Sequence, residues 1–334
     1  MNKLNVIFTS AGRRVELLRG FGRAYNALRL EGSIIGLDMD PLAPALQCAD
    51  RCYVVPPIDS PNYIEVLLEV CRREQPGVVF PLIDTDIPVL ARQRAKIENS
   101  GVRVAVVTEE AAQVVSDKWL TAQFFRRLGL TTPTSWLPGQ VDCSQVSYPL
   151  FVKPQRGSAG ENGYKVRNAN ELKFFQEYVP DHIIQEFVEG NEVTCDLLCD
   201  LTGDVMGVIL RRRLKVRSGE VAKGVTVYNP TIIDACVKIA KALPAIGPIT
   251  VQCIVRDGVP HFIEINGRMG GGLPLSIAAG ADVPRWLLAR AAGIPIDIPP
   301  LGSYRSGFYM TRFDESFFLS ESDYGEMEGR RLRS

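Results

Sequence analysis

The stretch HFIEINGRMGGG, residues 261–272, decides how this sequence is read. Phe262, Ile263 and Ile265 are strand formers, yet Glu264 and Asn266 interrupt them at alternate positions, and Arg268 and three consecutive glycines follow. Successive side chains on a strand point to opposite faces, so Glu264 and Asn266 share one face while Ile263 and Ile265 point the other way, toward a core. A solvated sheet face gives the same alternation, and the preceding strand ITVQCIV separates the two readings. Between them Arg256-Asp257-Gly258 is a hairpin signal. A three-residue loop with Gly258 left-handed pairs Val255 with Val259 and hence Gln252 with Phe262, leaving Gln252 on the face of Glu264; a two-residue loop puts it on the opposite face. In the first register Gln252, Glu264 and Asn266 form an all-oxygen set with one carboxylate. Such a set suits magnesium shared with phosphates and water, not zinc or copper.

The surrounding chain fits a small-molecule protein. Its 334 residues are 46% hydrophobic, and 38 basic residues balance 38 acidic ones, so two or three domains are expected with no charge footprint for nucleic acid or a membrane surface. No run of eighteen apolar residues occurs, and LNVIFTSAGRR leads into arginines instead of a small-residue cleavage site; neither a membrane span nor export is expected. The cysteines lie mostly in apolar segments without a CxxC pair, which reads as reduced core thiols and a cytoplasmic location. Cys48/Cys52 and Cys195/Cys199 have no histidine nearby, which makes zinc a poor fit.

Strand and helix alternate through the first 110 residues. Residues 4–9 read as a buried strand, a helix follows to about Leu28, and SIIGLDMD, VVFPLIDTD and VRVAVVT read as further strands of a doubly wound parallel sheet. One helix is predicted from Glu109 to Leu128, ending at Gly129. YPLFVKP is a strand leading into the loop QRGSAGENG, and Asn168 or Asn170 caps the helix after it. HIIQEFV, a run of strands from Glu192 to Leu214, a helix from Thr231 to Leu243 and the hairpin above read as a mainly antiparallel α+β region.

Several of these segments carry chemistry only in combination. TSAGRR with Asp38 suggests a dinucleotide fold, but Gly12 alone stands where G-x-G-x-x-G needs three glycines, so a structural Rossmann-like domain is the better reading. Asp84 and Asp86 end a strand where open α/β sheets place ligands; solvated loop acids are the ordinary alternative. The loop with Gly157, Ser158, Ala159 and Gly160 can present backbone N–H groups to phosphate, although it is not a Walker A motif because Lys153 precedes it. Taken singly, Lys118 is an ordinary helix lysine and QEFVEGNE an acidic turn.

The ordered set Lys118, Lys153 with its glycine loop, Gln185-Glu186-Phe187-Val188 with Glu192, Gln252, and Glu264 to Arg268 resembles the ATP-grasp superfamily, most closely one module of a carbamoyl-phosphate synthase large subunit and related carboxylate–amine ligases. The resemblance implies a Rossmann-like domain at 1–110, linker helices and a small subdomain with the glycine loop at 111–185, a large subdomain with the metal site at 186–310, and a tail at 311–334. It implies ATP with magnesium, manganese being the alternative ion, as cofactors. Lys118, Lys153 and Gly157 to Gly160 would meet the phosphates, Gln185 to Val188 the adenine, and Glu192 the ribose. Gln252, Glu264 and Asn266 would hold the metal and Arg268 the transferred phosphate. The implied reaction joins a small carboxylic acid to an amine or amino acid through an acyl phosphate. The alternatives are a bicarbonate-using enzyme and a nucleotide-binding protein without turnover. A homodimer is compatible with all three.

Two features depart from the synthase pattern. A further arginine is missing where Gly270 to Gly272 stand, so one phosphate-side cation is absent, and the glycines are expected to leave space for a bulkier substrate. The basic run Arg211 to Thr226 is an exposed hairpin or, given its place between hinge and metal strands, brings Arg217 and Lys223 to the γ-phosphate or a substrate carboxylate.

Overall fold

The structure is a computed structural model, and it describes residues 3–142, 145–157, 162–217 and 219–332. Five strands open the chain: β1 (Asn5–Thr9), β2 (Ile34–Asp38), β3 (Arg51–Val54), β4 (Pro76–Pro81) and β5 (Arg103–Val104). Among them run α1 (Val15–Leu28), α2 (Tyr63–Glu74), α3 (Asp86–Arg92) and α4 (Arg94–Glu98). The strands pair in parallel in the order β3-β2-β1-β4-β5, as the alternation predicts. Val6, Ile7 and Phe8 are all fully buried because helices cover both faces of the sheet, which is why β1 reads as an unbroken apolar run. β3 escaped the sequence reading: RCYV is short and begins on an exposed arginine. The strand order reverses between β1 and β4, so a crevice opens at their carboxyl ends, with Ser10 to Arg14 on one lip and Leu82 to Asp86 on the other.

Where a single helix was predicted, two form: α5 (Glu109–Ser116) and α6 (Lys118–Arg127). Asp117 leaves helical space at φ −130° and ψ 114°, and its carboxylate accepts from the N–H groups of Trp119 and Leu120 at 2.9 and 3.1 Å. The break makes Lys118 the first residue of α6. A small antiparallel sheet follows, from β6 (Ser135–Trp136), β7 (Leu150–Pro154), β8 (Tyr164–Val166) and, after α7 (Ala169–Tyr178), β9 (His182–Glu186), in the order β6-β9-β7-β8. Asn168 caps α7 through the Glu171 N–H at 3.0 Å. Leu172 closes a separate small core with Leu150, Val152, Val166 and Ile184.

The large sheet is antiparallel in the order β14-β13-β10-β11-β12-β15. Its elements are β10 (Asn191–Cys199), β11 (Val205–Arg217), β12 (Glu220–Val227), α8 (Pro230–Ala242), β13 (Ile249–Arg256), β14 (Val259–Asn266), α9 (Leu273–Ala278), α10 (Val283–Ala292) and β15 (Tyr309–Thr311). The tail then returns to the first sheet, where α11 (Glu321–Gly329) brings Met327 against Cys52 and Leu332 donates to the Val54 carbonyl at 3.0 Å. No helix among the described residues is long and apolar enough to cross a membrane.

The register of the opening stretch differs from the expected one. Asp257 and Gly258 are both left-handed, at φ 51° and 81°, and form a two-residue turn in which Arg256 pairs with Val259. Continued without interruption, that register would turn Gln252 away from Glu264. A bulge at Ile263 shifts the pairing by one residue, so that Gln252 lies directly opposite Glu264 after all. The same bulge takes Ile263 off the core face predicted for it and into the cavity wall, while Ile265 stays fully buried.

Candidate active site

A cavity of about 630 Å³ opens where the small sheet, the large sheet and the crevice of the first sheet meet. Lys118, Lys153, Gln185, Glu186, Phe187, Val188, Glu192, Gln252, Glu264, Asn266 and Arg268 all line it. Gly157 lies at its edge, where its carbonyl accepts from Lys118 Nζ at 2.7 Å. Ser158, Ala159 and Gly160 lie outside the described residues. Arg217 and Lys223 do not line the cavity. Arg217 is exposed and paired with Asp314, and Lys223 is exposed opposite Lys215 and Thr311. Bulges in the β11–β12 pairing turn the end of that hairpin, and Arg213, Val216, Gly219, Glu220 and Val221 are the residues it presents to the cavity instead.

Charge is concentrated around Glu264. Burial raises its carboxyl above the usual range even though Lys153, Lys118 and Arg268 pull it down. Neither the carboxylate of Glu264 nor the side chain of Asn266 has a hydrogen-bond partner among the described residues. Buried carboxylates are otherwise paired, so these oxygens suit a cation that binds with the ligand. Gln252 donates from Nε2 to Glu192 at 3.2 Å, which leaves its carbonyl oxygen free to join them. Burial lowers Lys118, and it lowers Lys153 to about 8 with Lys118 adding repulsion. Two desolvated ammonium groups facing one carboxylate are prepared for an anion.

The expected hinge carries its polarity on the backbone. Gln185 is tied to Ser135 by its Nε2 at 2.8 Å, and Glu186 is tied to Arg256 at 3.0 Å. The N–H groups of Glu186 and Phe187 donate to the carbonyls of Thr134 and Pro149, while the Val188 N–H has no acceptor among the described residues. Phe151, Phe187, Val188, Ile254 and Ile263 supply an apolar lining there. Glu192 is held by Arg213 at 2.5 Å.

The three glycines line the cavity, but a side chain on any of them would run into its neighbours. A Cβ on Gly270 would lie 3.0 Å from Asp196 Oδ1, one on Gly272 would lie 2.0 Å from Arg211 Nη1, and one on Gly271 would lie 2.7 Å from Arg14 Nη1. The room they provide is filled by two arginine clusters. Arg211 and Asp196 form a bidentate pair at 2.6 and 2.7 Å with both side chains 2% exposed, and Ser276 donates to the same carboxylate. Arg14 comes from the β1–α1 loop of the first sheet. It therefore stands over Gly271, close to where the missing arginine was expected.

Other residues around the cavity were marked in the sequence by position alone or not at all. Asp84 faces the cavity and pairs with Arg268 at 2.6 Å, whereas Asp86 is buried behind it and accepts from Thr9 Oγ1 and Ser10 Oγ at 2.6 and 2.9 Å. Burial raises Asp86 to about 6. Asp38 accepts from the N–H of Gly12 at 2.7 Å and so braces the loop that carries Arg14; it does not stand free as a ribose acid would. Glu220 binds Arg312 of the tail at 3.1 Å. The only sequence signal for these contacts was position, since TSAGRR and Asp84 both follow strands at the sheet's carboxyl edge.

Two family models match the chain. Residues 6–105 match the PylC-like N-terminal domain model, and residues 115–272 match an ATP-grasp domain model. A carbamoyl phosphate synthase large chain from a Thermoanaerobacter species is 23% identical over 301 residues, covering 84% of this chain and 27% of that protein. The chain thus spans about a quarter of the length of that curated relative. Among solved structures, the biotin carboxylase domain of Hydrogenobacter thermophilus 2-oxoglutarate carboxylase superposes with a TM-score of 0.71 at 17% identity, covering 91% of this chain and 73% of that one. The L-amino acid ligase of Bacillus licheniformis gives 0.68 at 19% identity, covering 87% and 75%. Staphylococcus aureus N5-carboxyaminoimidazole synthetase gives 0.69 at 15% identity, covering 89% and 79%. The chain therefore carries a PylC-like N-terminal domain followed by an ATP-grasp domain.

Proposed function

We propose that the protein is an ATP- and magnesium-dependent carboxylate–amine ligase that forms an amide or peptide-like bond through an acyl phosphate and releases ADP and phosphate. The observation that carries this reading is the convergence of Lys118 and Lys153 on Glu264, a carboxylate without a hydrogen-bond partner among the described residues. In this reading the Val188 N–H and the apolar lining receive adenine, and Glu192 receives the ribose. Lys118, Lys153 and the loop from Gly157 to Gly160 cradle the phosphates. Glu264, Asn266 and Gln252 would hold magnesium, which supplies charge neutralisation at the phosphates. Arg268 exchanges Asp84 for the phosphoryl group in transfer. The substrate carboxylate then carries the phosphoryl group, the amine attacks its carbon, and phosphate leaves. Positioning and charge neutralisation suffice for such a transfer, so no nucleophilic side chain is needed. MgADP is bound in the 2-oxoglutarate carboxylase structure, and an amino acid ligase is among the similar folds, which supports the same assignment.

Glu264→Gln should abolish ADP formation while leaving the fold intact, as judged by an unchanged melting profile. Full ADP formation in that variant sinks the metal assignment. An ADP-release screen over pairs of amino acids and small carboxylic acids, with mass analysis of the products, identifies the substrates. ATP turnover that depends on bicarbonate without any amino acid would replace the ligase reading with the carboxyphosphate one.

A further inference from the structure

Beyond Arg268, the cavity wall carries more positive charge than its own partners neutralise. Glu220 is shared between Arg312, at 3.1 Å, and Arg14, at 3.5 Å. Arg14 Nη2 reaches the Leu82 carbonyl only at 3.4 Å, so neither of its acceptors is close. Its side chain is 13% exposed, and Arg13 beside it lines the cavity without a salt bridge among the described residues. Burying a guanidinium on such loose partners is unfavourable unless something else completes them. Burial, together with Arg268 and Arg312, lowers Arg14 to about 10.

The loop is braced to hold this arrangement. Ser10 and Gly12 are left-handed at φ 48° and 50°, and Asp86 and Asp38 pin them at 2.9 and 2.7 Å. Gly271 has no side chain to block Arg14, and Arg312 donates to the Gly271 carbonyl. The tail, which lies outside the matched ATP-grasp residues, therefore braces this wall through Glu220 and the Gly271 carbonyl.

We infer that Arg14, flanked by Arg13 and by Arg312 of the tail, binds an anionic group, carboxylate or phosphate, that the substrate carries in addition to its reacting group. Glu220 moderates that binding as a built-in competitor for the same guanidinium. Calling the ligand a substrate rests on the ligase reading; the anion site itself does not. Preorganised charge lets the site gain affinity without ordering a loop on binding.

Calorimetric titration in the presence of MgADP tests this with two matched pairs, L-glutamate against L-glutamine and O-phospho-L-serine against L-serine. One anionic member should bind at least about tenfold more tightly than its neutral counterpart, as one charge-assisted hydrogen bond provides. Preference for glutamate identifies a carboxylate, and preference for phosphoserine a phosphate. Arg14→Met should erase the preference while MgADP affinity stays within about twofold, and Glu220→Gln should strengthen it. If Arg14→Met loses MgADP binding through misfolding, Arg312→Met decides, and it should weaken the same preference. No preference in the wild type, or a preference that survives these substitutions, overturns the inference. Anion binding that obeys it while no substrate pair releases ADP leaves the anion site standing and removes the ligase reading.

Discussion

Gly272→Ala is the sharpest test of why three glycines follow Arg268. The added Cβ would lie 2.0 Å from Arg211 Nη1, 2.8 Å from Arg211 Cζ and 2.7 Å from Val221 Cγ1. Carbon contacts relax only near about 3.5 Å, so the guanidinium must move by more than roughly 1 Å. It has nowhere to go, because Asp196 holds it at 2.6 and 2.7 Å and both side chains are 2% exposed. Displacing one member of a buried, hydrogen-bonded ion pair costs about 3–5 kcal/mol. At about 1.4 °C per kcal/mol for a chain of 334 residues, the melting transition in differential scanning calorimetry should fall by roughly 4–7 °C. Gly271→Ala is the matched control. Its Cβ meets only the mobile ends of Arg14 and Glu220, so the cost should stay near 1 kcal/mol or below. Replacing the pair with Arg211→Met and Asp196→Leu should also reduce the Gly272→Ala cost to about 1 kcal/mol, as coupled neighbours do in a double-mutant cycle. A Gly272→Ala protein that melts within about 2 °C of the wild type would refute the reasoning.

Further outcomes follow from other contacts. Lys153 titrates at about 8, against an ordinary 10.5, so the free enzyme loses that cation as pH rises through 8. Nucleotide affinity should therefore fall above pH 8, and binding near pH 8 should take up protons, measured by titration calorimetry in buffers of different ionisation heat. The unfolded chain binds the extra proton between pH 8 and 10.5, so stability of the free protein should gain with pH across that window, a gain that Lys153→Met removes. Asp117→Ala loses the α6 cap and the Gln155 Nε2 bond at 2.7 Å; about 1–2 kcal/mol of stability should go, and KM for ATP should rise because Lys118 starts that helix. Arg217→Ala should leave melting within about 0.5 kcal/mol and turnover within about twofold, since its pair with Asp314 is 60% and 77% exposed.

Much of the candidate site was legible because Lys118, Lys153, Gln185, Glu192, Gln252 and Glu264 sit on regular elements. Alternation on β14 put Glu264 and Asn266 on one face, and the apolar runs of β1, β2 and β4 specified a parallel sheet by pattern alone. The hairpin shows the limit of such reading. Gln252 does oppose Glu264, but through a two-residue turn and a bulge at Ile263, and a bulge has no dependable signature in a single sequence. The basic run after Arg211 was legible as charge but not as direction: Arg211 turns inward to Asp196, Arg213 to Glu192, and Arg217 outward to the tail.

By itself, then, the order of residues determined most of the elements, because period, capping and spacing act over a few residues, while the grouping of Lys118, Lys153 and Glu264 came from the resemblance to a family. The tertiary structure decided what surrounds that cluster. Arg14 and Glu220 stand 206 positions apart in the chain yet 3.5 Å apart in space, and Asp84 reaches Arg268 across 184. Such contacts depend on where the β1–α1 loop, the β11–β12 hairpin and the tail dock. Docking is governed by burial summed over whole faces, which no local pattern encodes.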